Sequence, residues 1–173
     1  FTLSILLIIG SIVIYGQMRY IAHKNLGFDR EHLLYVRLEG PLADNILPLK
    51  SRILGIPGVE SATASTYSPL GIYNNGDGWD WEGRAPNLNP QVTYFGVDPD
   101  FMKTFKMELT RGEAFSPTTG DFTSSAIINE CFAEVLGFPD PVGAVLSQPE
   151  IKLRIGGVVK DFHFMPLTQE IEP

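Results

Sequence analysis

The sequence predicts a mixed α+β fold, built from β-α-β units and preceded by a membrane-spanning helix. Three observations carry that expectation. The chain opens on a long uncharged apolar run, strand-like and helix-like patterns alternate through the remainder, and turns containing Gly or Pro keep the connections short. With 173 residues there is enough chain for one domain with a core of its own.

The opening run, FTLSILLIIGSIVIYGQM, holds no acid or base before Arg19. About 18 helical residues rise roughly 27 Å, close to the ~30 Å hydrocarbon core of a bilayer. A signal peptide would bring a basic start, a shorter apolar stretch and a small-residue cleavage site, none of which is visible. A core helix is the other competitor, but a run without a polar face does not suit a helix lying on a protein surface. The run lacks an initiator Met, which leads us to expect that the sequence is part of a longer protein. Arg19, Lys24 and Arg30 follow the span. The positive-inside rule would place that flank in the cytoplasm, although it compares two flanks and only one is in the sequence.

Beyond the span, the helix is expected to continue for a turn or two and stop at Gly27, since glycine readily takes the left-handed C′ conformation. HLLYVRL then reads as a strand rich in β-formers. Ile46, Leu49, Ile53 and Ile56 recur at the spacing of one helix face, predicting a helix over 43–56 that Pro57-Gly58 ends. VESATAST makes a second strand and closes a β-α-β unit. From 67 to 90 the chain is rich in Gly, Pro, Asn and Trp without a helical period, and reads as loops and a hairpin. QVTYFGVDPDFMKTF follows as strand then helix. Asp98 is its expected N-cap, Pro99 its first residue, and Asp100 lies near the positive end of the dipole. MELTRGEAFS predicts a short strand and a turn. SSAIINECFAEVLGF predicts a strand and then a helix capped by Asn129, with Phe132, Val135 and Leu136 inward and Gly137 as the stop. IKLRIGGVVKDFHF is the last strand, continuous or broken at its paired glycines, which mark a bulge or a close backbone approach.

Composition removes several function classes. The net charge is −7 and every acidic residue lies at or beyond Asp29, so there is no nucleic-acid footprint. The one cysteine, Cys131, excludes an internal disulfide framework and a multi-cysteine metal site, and in a helical pattern it reads as a small buried hydrophobe.

Near the end of the chain, IGGVVKDFHFMP crowds Lys160, Asp161 and His163 together. In a strand Asp161 and His163 share one face, and Phe162 and Phe164 the other. An Asp-His pair can be half of a catalytic triad or two metal ligands. No G-x-S-x-G or S-x-x-K motif accompanies it, and the other histidines, His23 and His32, sit beside the membrane stem. A strand with two core aromatics and a polar side is the stronger reading. The glycines precede no helix able to hold a phosphate, and no Walker motif occurs. In NNGDGWDWEGRAP, Trp79 and Trp81 alternate with Asp80 and Glu82. Such a segment either cradles a sugar or a cation, or is a hairpin strand whose Trp face packs inward. Inward packing is the stronger reading, and these four residues are the first candidates for a ligand or partner contact. No catalytic, cofactor-binding or metal-binding residue is assigned.

Several segments carry a family resemblance when read in order along nearly the whole chain. The first span runs into YIAHKNLGFDREHLLYV. IPGVESATAS makes a helix-to-strand step, followed by WEGR, YFGVDPDFMKTFKMELTRGEAFS and AIINECFAEVLGFPDPVGAVL. IGGVVKDFHFMPLTQEIEP closes the series. Together they resemble the extracytoplasmic region of MacB-like, FtsX-type ABC transporter permeases, in the form associated with Bacteroidetes-type bacteria. Glu113 departs from the pattern, since many members have Arg after the turn glycine. The family's remaining transmembrane helices are not in the sequence.

The resemblance implies a transmembrane helix and stalk over 1–25. It also implies a non-enzymatic extracytoplasmic core domain over 26–173, with room for a small inserted subdomain in its middle. It implies a place in the bacterial inner membrane with the soluble part in the periplasm, which turns the basic residues after the span outward. A permease homodimer, a separate cytoplasmic ABC ATPase subunit, and a periplasmic adaptor or cargo are the implied partners, with no cofactor and no nucleic acid. The expected role is to couple ATP-driven helix movement to export or release of a substrate, or to a periplasmic partner. The stem from 17 to 27 and the terminal strand from 158 to 164 are the expected transmission elements. Gly27, Phe28, Asp29, Asp161, Phe162, His163 and Phe164 are the candidate coupling residues. The rival from another class is a ligand-sensing extracytoplasmic domain of a membrane receptor, with a pocket around the Trp segment.

Overall fold

A computed structural model describes residues 1–29, 31–68, 71–72, 74–115, 124–165 and 169–173, and the backbone alone at 22 and 23. Arg30 of the basic flank, Ser116 of the expected turn and Pro166 lie outside the described residues. The first helix, α1, spans Thr2–His23, about 33 Å at 1.5 Å per residue. Its apolar side chains are exposed along its length. Over Thr2–Ile21, with a mean hydropathy of 1.5, it is long and apolar enough to cross a membrane. It ends short of Gly27, the expected stop, because Lys24 already turns extended (φ −63°, ψ 128°). Gly27 does hold a positive φ of 88°, but in a turn of different purpose, described below.

The β-α-β unit predicted for the first half does not form. HLLYVRL forms no strand: His32 sits in a turn at φ 60°, the residues after it have no ladder partner among the described residues, and Leu34, Tyr35 and Val36 are exposed. A 3₁₀ turn, Gly40–Asn45, leads into α2, Ile46–Leu54. Pro48 is tolerated there because the first turn of a helix needs no intrahelical N–H. Instead of burying a full apolar face, α2 docks through Lys50, whose Nζ lies 2.5 Å from both Asp98 and Asp100 carboxylates. Burial alone would lower the Lys50 pKa, but its hydrogen bonds to Asp100 and Asp98 prevail and raise it. VESATAST is held antiparallel to 96–98 by a single bridge between Ser65 and Val97, with the Thr66 N–H donating to the Gly96 carbonyl at 2.8 Å and the Asp98 N–H to the Ala64 carbonyl at 3.0 Å. Strand propensity builds a ladder only where a neighbouring strand pairs along its length, and HLLYVRL has no such partner among the described residues.

A two-residue antiparallel pair follows, β1 (Asn75–Gly76) with β2 (Val92–Thr93). The next helix, α3, is the single turn Phe101–Thr104, with Asp100 at the N-cap position, two residues later than the expected Asp98. Asp98 starts a turn ahead of it: its side chain accepts from the Asp100 N–H and its carbonyl from the Phe101 N–H, both at 3.1 Å.

The main sheet is built around the long strand β6, Ile151–Val159. On one edge β4 (Ser125–Asn129) runs parallel to it. On the other edge β5 (Val145–Gln148) and β3 (Leu109–Gly112) pair antiparallel, one after the other along its length. Between β4 and β6 the chain passes through α4, Glu130–Leu136, so the parallel crossover of the fold lies here. The caps of α4 are those predicted: Asn129 accepts from the Phe132 N–H at 3.0 Å, and Gly137 ends the helix at φ 72°. β6 passes unbroken through its glycines. The pairing with β4 skips Gly156, and a Cβ at Gly157 would lie 2.9 Å from the Glu113 carbonyl. Only glycine lets the β3 end approach this closely.

The sheet separates two apolar clusters. One gathers Trp79, Trp81, Phe132, Leu146, Ile155 and Val158. The other gathers Leu26, Phe28, Phe101, Val159, Phe162 and Phe164, and so draws on both the stem and the last part of the chain.

Candidate coupling junction

The second cluster is where the polypeptide following α1 meets the polypeptide following β6. The strand expected to reach Phe164 stops at Val159, because beyond it the backbone finds partners outside the sheet. Lys160 N–H donates to the Glu108 carbonyl at 2.9 Å, Asp161 N–H to Glu130 Oε2 at 3.3 Å, and His163 N–H to the Leu26 carbonyl at 2.7 Å. The alternation predicted for a strand nonetheless persists. Phe162 and Phe164 are buried, and Asp161 and His163 are half-buried.

Gly27 makes the stem side of the junction. A Cβ there would lie 2.6 Å from the Asp161 carbonyl oxygen and 2.8 Å from Phe162 Cα, and the φ of 88° is one that other residues rarely adopt. The turn is braced from within, since the Gly27 N–H donates to Asn25 Oδ1 at 2.9 Å. Its tightness carries Phe28 into the core. The Phe28 ring meets Phe105 edge-on at 5.7 Å and Phe162 edge-on at 6.4 Å between centroids. Burying such a ring is worth about 1.5–3 kcal/mol before any aromatic geometry term.

Asp29 closes the stem against α3. Its N–H donates to the Phe105 carbonyl at 2.9 Å, and its carboxylate meets Lys106 Nζ at 2.6 Å while accepting from the Glu31 N–H at 2.9 Å. The hydrogen bond from Lys106, and then the one from the Glu31 amide, hold the Asp29 carboxyl below the ordinary aspartate range. The same pair raises Lys106. Lys106 itself sits at φ 48°, in the left-handed region, in the turn between α3 and β3.

The polar residues that invited a catalytic reading are engaged in backbone contacts. Asp161 Oδ1 accepts the Cys131 N–H at 2.9 Å, and His163 contributes its main-chain N–H to the stem. Among the described residues no group of three or more His, Cys, Asp or Glu side chains is placed to hold a metal ion. Cys131 is half-buried, and burial first, then the Asp161 charge, pushes its thiol pKa up.

The structure thus brings all seven coupling candidates to one place: Gly27, Phe28 and Asp29 on the stem side, and Asp161, Phe162, His163 and Phe164 opposite. The partners that complete it, Phe105, Lys106 and Glu130, carried no signal in the sequence. Lys106 meets Asp29 from 77 residues away. The Trp segment stands apart. Trp79 and Trp81 are buried in the first cluster, edge-on to Tyr94 at 5.5 Å and Phe132 at 6.1 Å, so neither ring offers a face to solvent. Asp80 and Glu82 are exposed, with Asp80 paired to Arg84 at 2.9 Å.

A family profile for MacB-like periplasmic core domains matches residues 2–170. No curated protein matches the sequence. Among solved structures, the chain is similar to a domain of a protein assigned as a permease from Porphyromonas gingivalis, at 27% identity and a TM-score of 0.47, covering 62% of this chain and 46% of that one. It is similar to the extracellular domain of the ABC-type transporter YknZ from Gram-positive bacteria, at 19% identity and a TM-score of 0.49, covering 74% and 66%. A third likeness is to the periplasmic region of MacB from Actinobacillus actinomycetemcomitans, at 12% identity and a TM-score of 0.48, covering 82% and 63%. The chain spans about half to two thirds of the length of these structures.

Proposed function

Because the chain belongs to the family of MacB-like periplasmic core domains, we propose that it couples movement of a membrane helix to the extracytoplasmic body of an ABC transporter permease. Residues 1–25 are the membrane helix and stalk, and 26–173 the extracytoplasmic body. The domain does no chemistry. ATP is hydrolysed by a separate cytoplasmic ATPase subunit, and the permease acts as a homodimer in the inner membrane, with a cargo or an adaptor protein met on the periplasmic side.

One observation supports this reading above the others: the Gly27 turn is closed against Asp161 and Phe162, with the Leu26 carbonyl bonded to the His163 N–H at 2.7 Å. A stem joined to a core by a slack loop can tilt without moving it. A stem whose Phe28 is embedded in the core and whose Asp29 is tied to Lys106 carries the core along, because packed elements shift as rigid bodies. The test is a short Gly-Ser insert between Gly27 and Phe28 in the full-length permease, assayed with its ATPase in vesicles. ATP hydrolysis is expected to continue while transport is lost. Transport at the unaltered rate would overturn the reading.

A further inference from the structure

Residues 171–173 lie on the β4 side of the domain, where donors from three different elements hold three successive carbonyls. Cys131 Sγ of α4 lies 3.4 Å from the Ile171 carbonyl oxygen. Asn129 Nδ2, at the end of β4, donates to the Glu172 carbonyl at 2.8 Å, and the Thr93 N–H of β2 to the Pro173 carbonyl at 2.9 Å. The side chains of this segment do less. Glu170 and Glu172 are exposed, and Ile171 and Pro173 only half-buried. The segment is therefore fixed through its main chain and lacks a fully buried anchor of its own.

Asn129 is the informative member of the set. It is the one buried polar residue in the described core, at 8% exposure. Its side chain works at both ends, Oδ1 accepting from the Phe132 N–H as the cap of α4 and Nδ2 donating to Glu172. A helix cap requires only the acceptor, and Asp serves there as well as Asn. The amide donor thus has a separate task, and that task is the segment 171–173.

We propose that residues 171–173 form a releasable strap, latched to the core by the Asn129 amide. The terminal segment is then held at two points, by the stem at Leu26 and by the latch at Asn129. Opening the latch releases residues 171–173 from Asn129, Cys131 and Thr93 while the sheet and α4 stay folded. The strap extends the coupling reading and draws its purpose from it, but its opening is measured without ATPase or transport, so the two stand or fall separately.

The test uses the full chain in detergent micelles or nanodiscs. Asn129→Asp keeps the cap acceptor for the Phe132 N–H, removes the donor, and sets a carboxylate against the Glu172 carbonyl. Two readouts report the strap: hydrogen exchange at the Thr93 amide, and alkylation of Cys131, the one cysteine of the chain. Thr93 exchange is expected to rise tenfold or more and Cys131 to alkylate faster, with the Phe132 amide and the β4 and β6 amides unchanged. Asn129→Ser, which keeps a cap oxygen and also lacks the amide donor, is expected to give the same pattern, and it decides the matter if the Asp variant fails to fold. Unaltered Thr93 and Cys131 in a folded variant would overturn the proposal. So would a general acceleration across β4 and β6, which would make the strap an integral part of the sheet.

Discussion

Gly27→Ala perturbs the junction at its tightest point, and its cost follows from two separable terms. The first is conformational: at φ 88° an alanine pays about 1–2 kcal/mol that glycine does not. The second is steric, since the new methyl would lie 2.6 Å from the Asp161 carbonyl oxygen and 2.8 Å from both Phe162 Cα and Cβ. Two of these are backbone atoms that cannot rotate away, so the overpacking range of about 1–3 kcal/mol applies. The stem can relieve both terms by lifting off the core, releasing the Leu26–His163 hydrogen bond and Phe28 without unfolding the sheet. The sum, about 2–5 kcal/mol, corresponds to roughly 30- to several-thousand-fold more frequent opening. Hydrogen exchange at the His163 amide reads that opening, with a β6 amide such as Val158 as the internal reference. Gly58→Ala is the matched control, because Gly58 has a φ of 90° and nothing within 4 Å of a built Cβ. It carries the conformational term alone. If His163 exchanges no faster in Gly27→Ala than in Gly58→Ala, the close approach of stem and terminal segment does not exist in solution and the reasoning fails.

Other perturbations reach the junction from different sides. Phe28→Ala removes a buried ring that touches Phe105 and Phe162, and should cost about 3–5 kcal/mol of junction stability, measured as the same His163 exchange. His163→Ala should leave that junction intact, since only its main-chain N–H is used, whereas His163→Pro deletes the donor and should open it; equal effects of the two would implicate the imidazole. Asp29 is held below its ordinary pKa by Lys106, so its contribution is complete above the unfolded value near 4 and is lost as the pH falls through the lower folded value. Lys106 is raised, so its share persists until the pH climbs past the ordinary lysine range. The melting-temperature difference between wild type and Asp29→Asn should therefore be flat from about pH 5 to about pH 9, shrink below pH 4, and diminish with added salt. A difference that grows on acidification would contradict the assignment.

Features specified by neighbours in sequence were legible in advance. Asn129 and Gly137 bound α4 because caps act within a turn of themselves, and the inward burial of Phe162 and Phe164 follows from simple alternation. The close approach at Gly156 and Gly157 was likewise visible in the paired glycines. What could not be read was pairing at a distance. HLLYVRL has the composition of a strand, yet a strand exists only with a partner, and Leu34 to Val36 lie exposed instead. The parallel crossover falls around α4 rather than α2, because β6 aligns with β4, and the polar Lys50 contact holds α2 where an apolar face was expected. The candidate junction was named residue by residue on its two chain segments. Its third wall, Phe105 and Lys106, stayed hidden because nothing local marks an ion pair that spans 77 residues.

Rigid attachment of the stem to the core can be measured within one protomer of the proposed permease dimer. Spin labels at Tyr20→Cys on α1 and Glu134→Cys on α4, in a Cys131→Ser background, bracket the junction, and both labelled positions are exposed. Their distance distribution, recorded by pulsed electron resonance with and without ATP, should be a single narrow peak that does not move, while the distance between equivalent labels on the two protomers does. A stem-to-core distribution that is broad, or that shifts with nucleotide, would mean that the helix moves independently of the domain it carries.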